Sequence, residues 1–153
     1  MNSEFQQAVE SLHPKYDFLV AMRPVRLPAL PSRMPKKGVY LLSEGSRHLY
    51  AGRTNNLRIR LQNHVRDSHF TATLAFLMAR LKTGNVTPSY KTEGSRADLL
   101  RNPAFKAAFD DARKRIREMD IRYVEESDPV RQALLEIYVA LASRAEHNSF
   151  ETH

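Results

Sequence analysis

At 153 residues the chain is expected to form one domain, and its net charge of +7, from 24 Lys and Arg against 17 Asp and Glu, favours polyanionic partners. It has no cysteine, which excludes disulfides, thiolate catalysis and sulfur-ligated clusters and leaves oxygen or imidazole to hold any metal, as suits hard ions such as Mg2+. No apolar run reaches membrane-spanning length and the N-terminus lacks the layout of a signal peptide, so a cytoplasmic protein with no membrane partner is expected.

In chain order, residues 3–12 read as a short amphipathic helix with Ser3 as N-cap and Phe5, Ala8, Val9 and Leu12 on one face. Asp17 to Val25 reads as a strand or extended arm. Pro24, Pro28, Pro31 and Pro35 then forbid helix or central strand, so residues 23–36 read as an extended lead-in that wraps the domain or as a loose arm. Gly38–Ser43 and Arg47–Ala51 read as a hairpin around Glu44-Gly45-Ser46. Asn55 or Asn56 caps a helix over 56–66, with Leu57, Leu61 and Val65 inward. Ser68 opens another helix over 69–82, which buries Leu74, Leu77, Met78 and Leu81 and is ended by Gly84. Residues 84–97 read as loop. Asn102-Pro103 starts a helix to 119 with an apolar side and a basic side, Asp120–Glu125 is a third strand, and Asp128-Pro129 opens a last helix to about 145. The order implies an α+β domain with a small sheet.

The residues that carry chemistry fall in two blocks. Tyr40 and Tyr50, on adjoining strands, can share one face of the hairpin, although strand tyrosines often serve packing alone. Arg60 and His64 are four apart on a helix, so they can clamp a phosphate through a guanidinium and an imidazole, or form part of a solvated basic face. Arg53, Asn55, Arg58 and Arg66 near that helix, and Lys114 on the later basic helix, are candidates for contacts to DNA. Glu136 lies among Leu134, Leu135, Ile137, Tyr138 and Leu141, so a partly buried carboxylate is expected there. Such a group needs a partner: a salt bridge to Arg131, Arg144 or Arg60, or a metal ion. Asn148 caps the chain or orients a phosphate or a catalytic group.

These residues, in this order, resemble the GIY-YIG nuclease family. Gly38-Val39-Tyr40 matches the first triplet and Tyr50-Ala51-Gly52 the second; Arg60, His64, Glu136 and Asn148 follow in the family's order. The resemblance spans residues 37–65 and about 121–150. It implies a small three-stranded mixed sheet flanked by helices, in a single nuclease-like domain over 1–153. Residues 1–36 would be an N-terminal helix and lead-in, and residues 66–119 a helical insertion. It also implies a metal-dependent endonuclease that hydrolyses DNA phosphodiester bonds with one Mg2+ or Mn2+. Tyr40 would be the general base and Arg60 the stabiliser of transition-state charge. Glu136 would be the metal ligand, Tyr50 would position a phosphate or the water, His64 would share the base role, and Asn148 would contact a phosphate or Tyr40. Val39 and Ala51 replace the family's isoleucines at packing positions.

The contrasting reading is a nucleic-acid-binding module on the same scaffold that does not cut. A cutter of both strands with one site per chain would act as a homodimer on DNA. The insertion's basic face (Arg80, Lys82, Lys91, Arg96, Lys106, Arg113, Lys114 and Arg117) would widen the footprint or remain solvated helix surface.

Overall fold

The computed structural model describes residues 1–85 and 95–151. The chain divides into two compact units, one formed by Met1–Arg60 with Met119–His153 and the other by Leu61–Glu118.

The first unit begins with α1 (Ser3–Glu10) and α2 (Leu12–Ala21). The α1 N-cap is Asn2, one residue earlier than the sequence suggests: its side-chain oxygen accepts from the Phe5 N–H at 3.0 Å. α2 replaces the strand expected from Asp17 onward. The run Phe18-Leu19-Val20 looks strand-like, but Leu12, Tyr16 and Leu19 recur at helical spacing and pack into the core. Only the tail of that segment is extended, where Val25 exchanges both backbone hydrogen bonds with Ile121 at 2.9 and 2.7 Å.

Three strands follow: β1 (Gly38–Glu44), β2 (Arg47–Thr54) and β3 (Asp120–Glu125), in the order β2-β1-β3. Gly45, with φ +61°, turns the hairpin where the sequence places the turn. Both pairings are antiparallel, so the sheet is open and wholly antiparallel rather than mixed. The chain leaves β2 at Thr54 and re-enters at Asp120 on the other flank of β1. It then runs in the direction of β2, so central β1 is antiparallel to both neighbours.

One sheet face is closed by α2 and by α7 (Pro129–Ala142), with Leu19, Val39, Leu41, Ala51, Leu135 and Val139 among its fully buried side chains. Each buried valine or leucine among them contributes about 1.5–3 kcal/mol through removal from water. Asp128 caps α7 by accepting from the Arg131 N–H at 2.9 Å. The buried Gln132 then fixes the helix to the sheet, donating to the Thr54 carbonyl at 3.2 Å and the Glu126 carbonyl at 3.0 Å. Short α3 (Leu57–Asn63) begins this unit's exit and ends before Val65, earlier than expected.

The second unit contains α4 (Thr73–Thr83), α5 (Arg96–Arg101) and α6 (Pro103–Arg117). α4 starts later than anticipated, because Ser68 accepts from Ala72 at 2.8 Å in a preceding turn. Leu77 is half-buried and Leu81 exposed, because Ala75, Phe76 and Ala79 face inward instead. Gly84 ends α4 at φ +79°. Asn102 caps α6 as the sequence indicates, and Phe76 meets Phe105 and Phe109 with ring centroids 5.1 and 6.1 Å apart. Lys91 and most of the loop expected over 84–97 lie outside the described residues.

Asp67, Lys106, Asp110 and Arg113 form an ion-pair network in this unit, with Asp110 bonded to Lys106 at 3.0 Å and to Arg113 at 2.9 Å. Burial pushes the Asp110 carboxyl up, but the hydrogen bonds and charges of Lys106 and Arg113 outweigh it and hold the group below the usual value. A lowered folded-state value means that the stabilisation is present above the unfolded carboxylate range and is lost as pH falls through the folded value. Thermal melts from pH 6 to 3 should therefore show wild type losing its advantage over Asp110→Asn with acid; a constant difference would contradict the pairing.

Candidate active site

Two glycines explain how the hairpin presents its tyrosines. Tyr40 pairs with Gly52 across the β1–β2 ladder, and Tyr50 pairs with Leu42 one step along the same face. A Cβ at Gly52 would overlap the Tyr40 ring and hydroxyl, so the phenol lies across the strand only because no side chain is there. At Gly38 a Cβ would strike the Val124 carbonyl of β3, so that glycine lets β1 and β3 approach. Tyr40 is fully buried, Tyr50 is half-buried, and their ring centroids are 6.2 Å apart.

Arg60 reaches this pair from α3. The Asn56 side chain caps the helix by accepting from the Ile59 N–H at 3.1 Å, while the Thr54 hydroxyl accepts from the Asn56 N–H at 3.0 Å. Leu57 N–H donates to the Lys36 carbonyl at 2.7 Å, fixing the helix start beside the lead-in. From there the Arg60 guanidinium hydrogen-bonds both phenols.

Glu136 lies one helical turn beyond Gln132, the residue that ties α7 to the end of β2. Its side chain is 22% exposed and accepts from Arg53 Nε at 3.1 Å. Arg53 is thus its partner, in place of Arg131, Arg144 or Arg60; Arg131 instead binds the buried Glu126 at 3.2 Å. Burial pushes the Glu136 carboxyl up, and Arg53 pulls it part of the way back. Its charge is felt at both phenols.

The Tyr40 phenol is pushed well above the usual tyrosine value, chiefly by burial and then by Tyr50, with Glu136 adding to the rise and Arg60 alone opposing it. Tyr50 is raised by burial and by Glu136 against the pull of Arg60. Both phenols are therefore neutral at physiological pH in this state.

Tyr40, Tyr50, Arg60 and Glu136 are brought together, with Arg53 as a fifth member in this grouping. Asn148 has a different place: its amide accepts from Ala51 N–H at 2.8 Å and donates to the Ala51 carbonyl at 2.7 Å. His147 N–H also donates to the Leu49 carbonyl at 2.9 Å, so the C-terminal segment closes the outer edge of β2, the strand that carries Tyr50 and Gly52. His64 directly follows α3, which ends at Asn63, and is fully buried.

Of the candidates for DNA contact, Asn55, Arg66 and Lys114 are exposed. Arg58 donates to the Pro31 carbonyl, which ties down the proline-rich lead-in. Arg53 is engaged by Glu136. Within the basic face of α4 to α6, Arg80 is buried against Phe76, and Lys106 and Arg113 are held by Asp67 and Asp110.

The oxygen donors facing one another here are one carboxylate and two phenols. No group of three His, Asp or Glu among the described residues forms a ready cage for a metal. A single half-buried carboxylate does fit Mg2+ or Mn2+, which commonly takes one or two protein carboxylates and completes its shell with water and substrate phosphate. No protein-family model matches the chain, and no curated protein or solved structure is significantly similar to it.

The contact of Tyr40 with Gly52 is testable by a double-mutant cycle. Gly52→Ala should destabilise by about 1–3 kcal/mol through overpacking. In a Tyr40→Ala background the same change should cost much less, because the ring it strikes is gone. Equal costs in the two backgrounds, measured by urea unfolding, would refute the contact.

Proposed function

We propose that the protein is a metal-dependent endonuclease of the GIY-YIG kind that hydrolyses DNA phosphodiester bonds at the cluster of Tyr40, Tyr50, Arg60 and Glu136. The observation that carries this reading is the Arg60 guanidinium, hydrogen-bonded to two phenols on the hairpin beside a half-buried carboxylate. Packing alone does not require a cation among buried phenols. A phosphoryl-transfer site does, because negative charge builds on the phosphorus oxygens as water attacks.

In this reading Arg60 turns from the phenols to the phosphate as charge accumulates. Tyr40 first loses its phenol proton to solvent; as the tyrosinate it accepts the proton of the attacking water, the water oxygen bonds to phosphorus, and the bond to the 3′ oxygen breaks, the departing oxygen taking a proton from solvent. Tyr50 holds a phosphate oxygen or the water. Glu136 would hold Mg2+ or Mn2+, which when bound supplies Lewis acidity toward the leaving oxygen and positive charge near the phenols. That charge matters for Tyr40, whose surroundings otherwise disfavour the tyrosinate. Arg53 must share or release Glu136 when the site is loaded, and it then lies free to meet the DNA backbone. Asn148 positions β2. Asn55, Arg66 and Lys114 contribute backbone contacts. Cutting both strands would require two chains, so the proposed acting form is a homodimer on DNA.

The alternative, a nucleic-acid-binding module that does not cut, draws on one observation: Glu136 is already paired with Arg53, and Tyr40 is held protonated. Plasmid nicking with Mg2+ and with EDTA separates the two. Metal-dependent nicking that falls by about 100-fold or more in Arg60→Ala and is lost in Glu136→Ala is the expected result. Tight plasmid binding with no nicking in Mg2+ or Mn2+ would favour the module and overturn the nuclease.

A further inference from the structure

Helix α7 is apolar nearly all round, and one of its sides faces solvent. Val130, Leu134, Ile137 and Leu141 follow one another at intervals of four, three and four residues, the spacing of a coiled-coil seam. Val130, Ile137 and Leu141 are 61%, 41% and 69% exposed, and Leu134 is half-buried. At 3.6 residues per turn these four lie within an arc of roughly 60°, and Glu136 points about 120° away from them. The seam and the catalytic cluster therefore occupy different sides of one helix. At the Val130 end, a cavity of about 440 Å³ is shared with Phe5 and Ala8 of α1. Glu4, Asp128 and Arg131 also line that cavity, and Phe5 and Val9 of α1, one turn apart, are 47% and 40% exposed.

We propose that this surface is the core of a two-fold interface in which α7 packs antiparallel against α7 of a second copy. The spacing is self-complementary: Val130 of one copy meets Leu141 of the other, and Leu134 meets Ile137, in both directions at once. A standard interface buries about 800 Å² per partner, with its most apolar part at the centre and a polar rim. The seam supplies that centre. It also contains no charged side chain, which matters for two copies that each carry a net charge of +7. Salt should screen their mutual repulsion and tighten the dimer, whereas it weakens binding to DNA.

Sedimentation equilibrium of the full chain, without DNA and in EDTA, tests this directly. A species of twice 17.6 kDa at micromolar concentration is expected, with association strengthening from low to high NaCl. Ile137→Glu combined with Leu141→Glu should raise the dissociation constant at least about 100-fold, since each lost interface anchor is worth upward of 1.4 kcal/mol. Because the chain has no cysteine, a mixture of Val130→Cys and Leu141→Cys chains gives a second readout that does not depend on those charged variants folding. Oxidation should join unlike chains in preference to like ones. A monomer at every salt concentration, a dimer indifferent to the two glutamates, or like-with-like cross-linking would each overturn the proposal, as would a monomer that binds only an unrelated protein. Nicking plays no part in these readouts. A dimer that does not nick refutes only the proposed activity, and a nicking monomer refutes only this interface.

Discussion

A single guanidinium holds the candidate site together. Arg60 is the one group that lowers the ionisation range of Tyr40 against burial, Tyr50 and Glu136. Its bonds to both phenols join α3 to the β1–β2 hairpin and give Tyr40, fully buried, a charged hydrogen-bond partner. A bond of this kind, with one charged member, contributes more than a neutral one, about 1.5–3 kcal/mol. Without it the two phenols and the nearby carboxylate would form a buried polar group with no cation directed at the rings.

The rest of the first unit serves that arrangement through close backbone approach and anchored helices. Gly52 leaves the space into which the Tyr40 ring lies, and Gly38 admits the backbone of β3 beside β1. Gln132 fixes α7 to the last carbonyl of β2, and Glu136 follows one turn later. Asn148 and His147 pair with the free edge of β2, which protects it from adding another chain and steadies the strand bearing Tyr50. The second unit is built differently, from aromatic packing between α4 and α6 and an ion-pair network around Asp110.

Much of this architecture can be read from local signals. Asn102-Pro103 marks the start of α6, Gly84 the end of α4, and Gly45 the hairpin turn, because each is dictated by a few neighbouring residues. The alternation of the hairpin places Tyr40 and Tyr50 on one face. α2 is harder to read: its run Phe18-Leu19-Val20 suits a strand, and only the tertiary burial of Leu12 and Leu19 decides for helix. Strand direction is equally inaccessible, since it depends on where the chain returns after the 65 residues between β2 and β3. The Glu136–Arg53 pair also has no local signature, although Arg53 directly follows the second triplet. The convergence of Tyr40, Tyr50, Arg60 and Glu136 was legible only through the ordering of motifs.

The bond between Arg60 and the Tyr40 phenol is the contact to measure first, by a double-mutant cycle of Tyr40→Phe and Arg60→Gln in urea unfolding at neutral pH. A coupling free energy of about 1–3 kcal/mol is the expected result, because Arg60→Gln takes the charged partner from the fully buried Tyr40 phenol, a loss that Tyr40→Phe has already made. Strictly additive effects would mean that the guanidinium does not hold the phenol, and the proposed site would lose the group on which it is built.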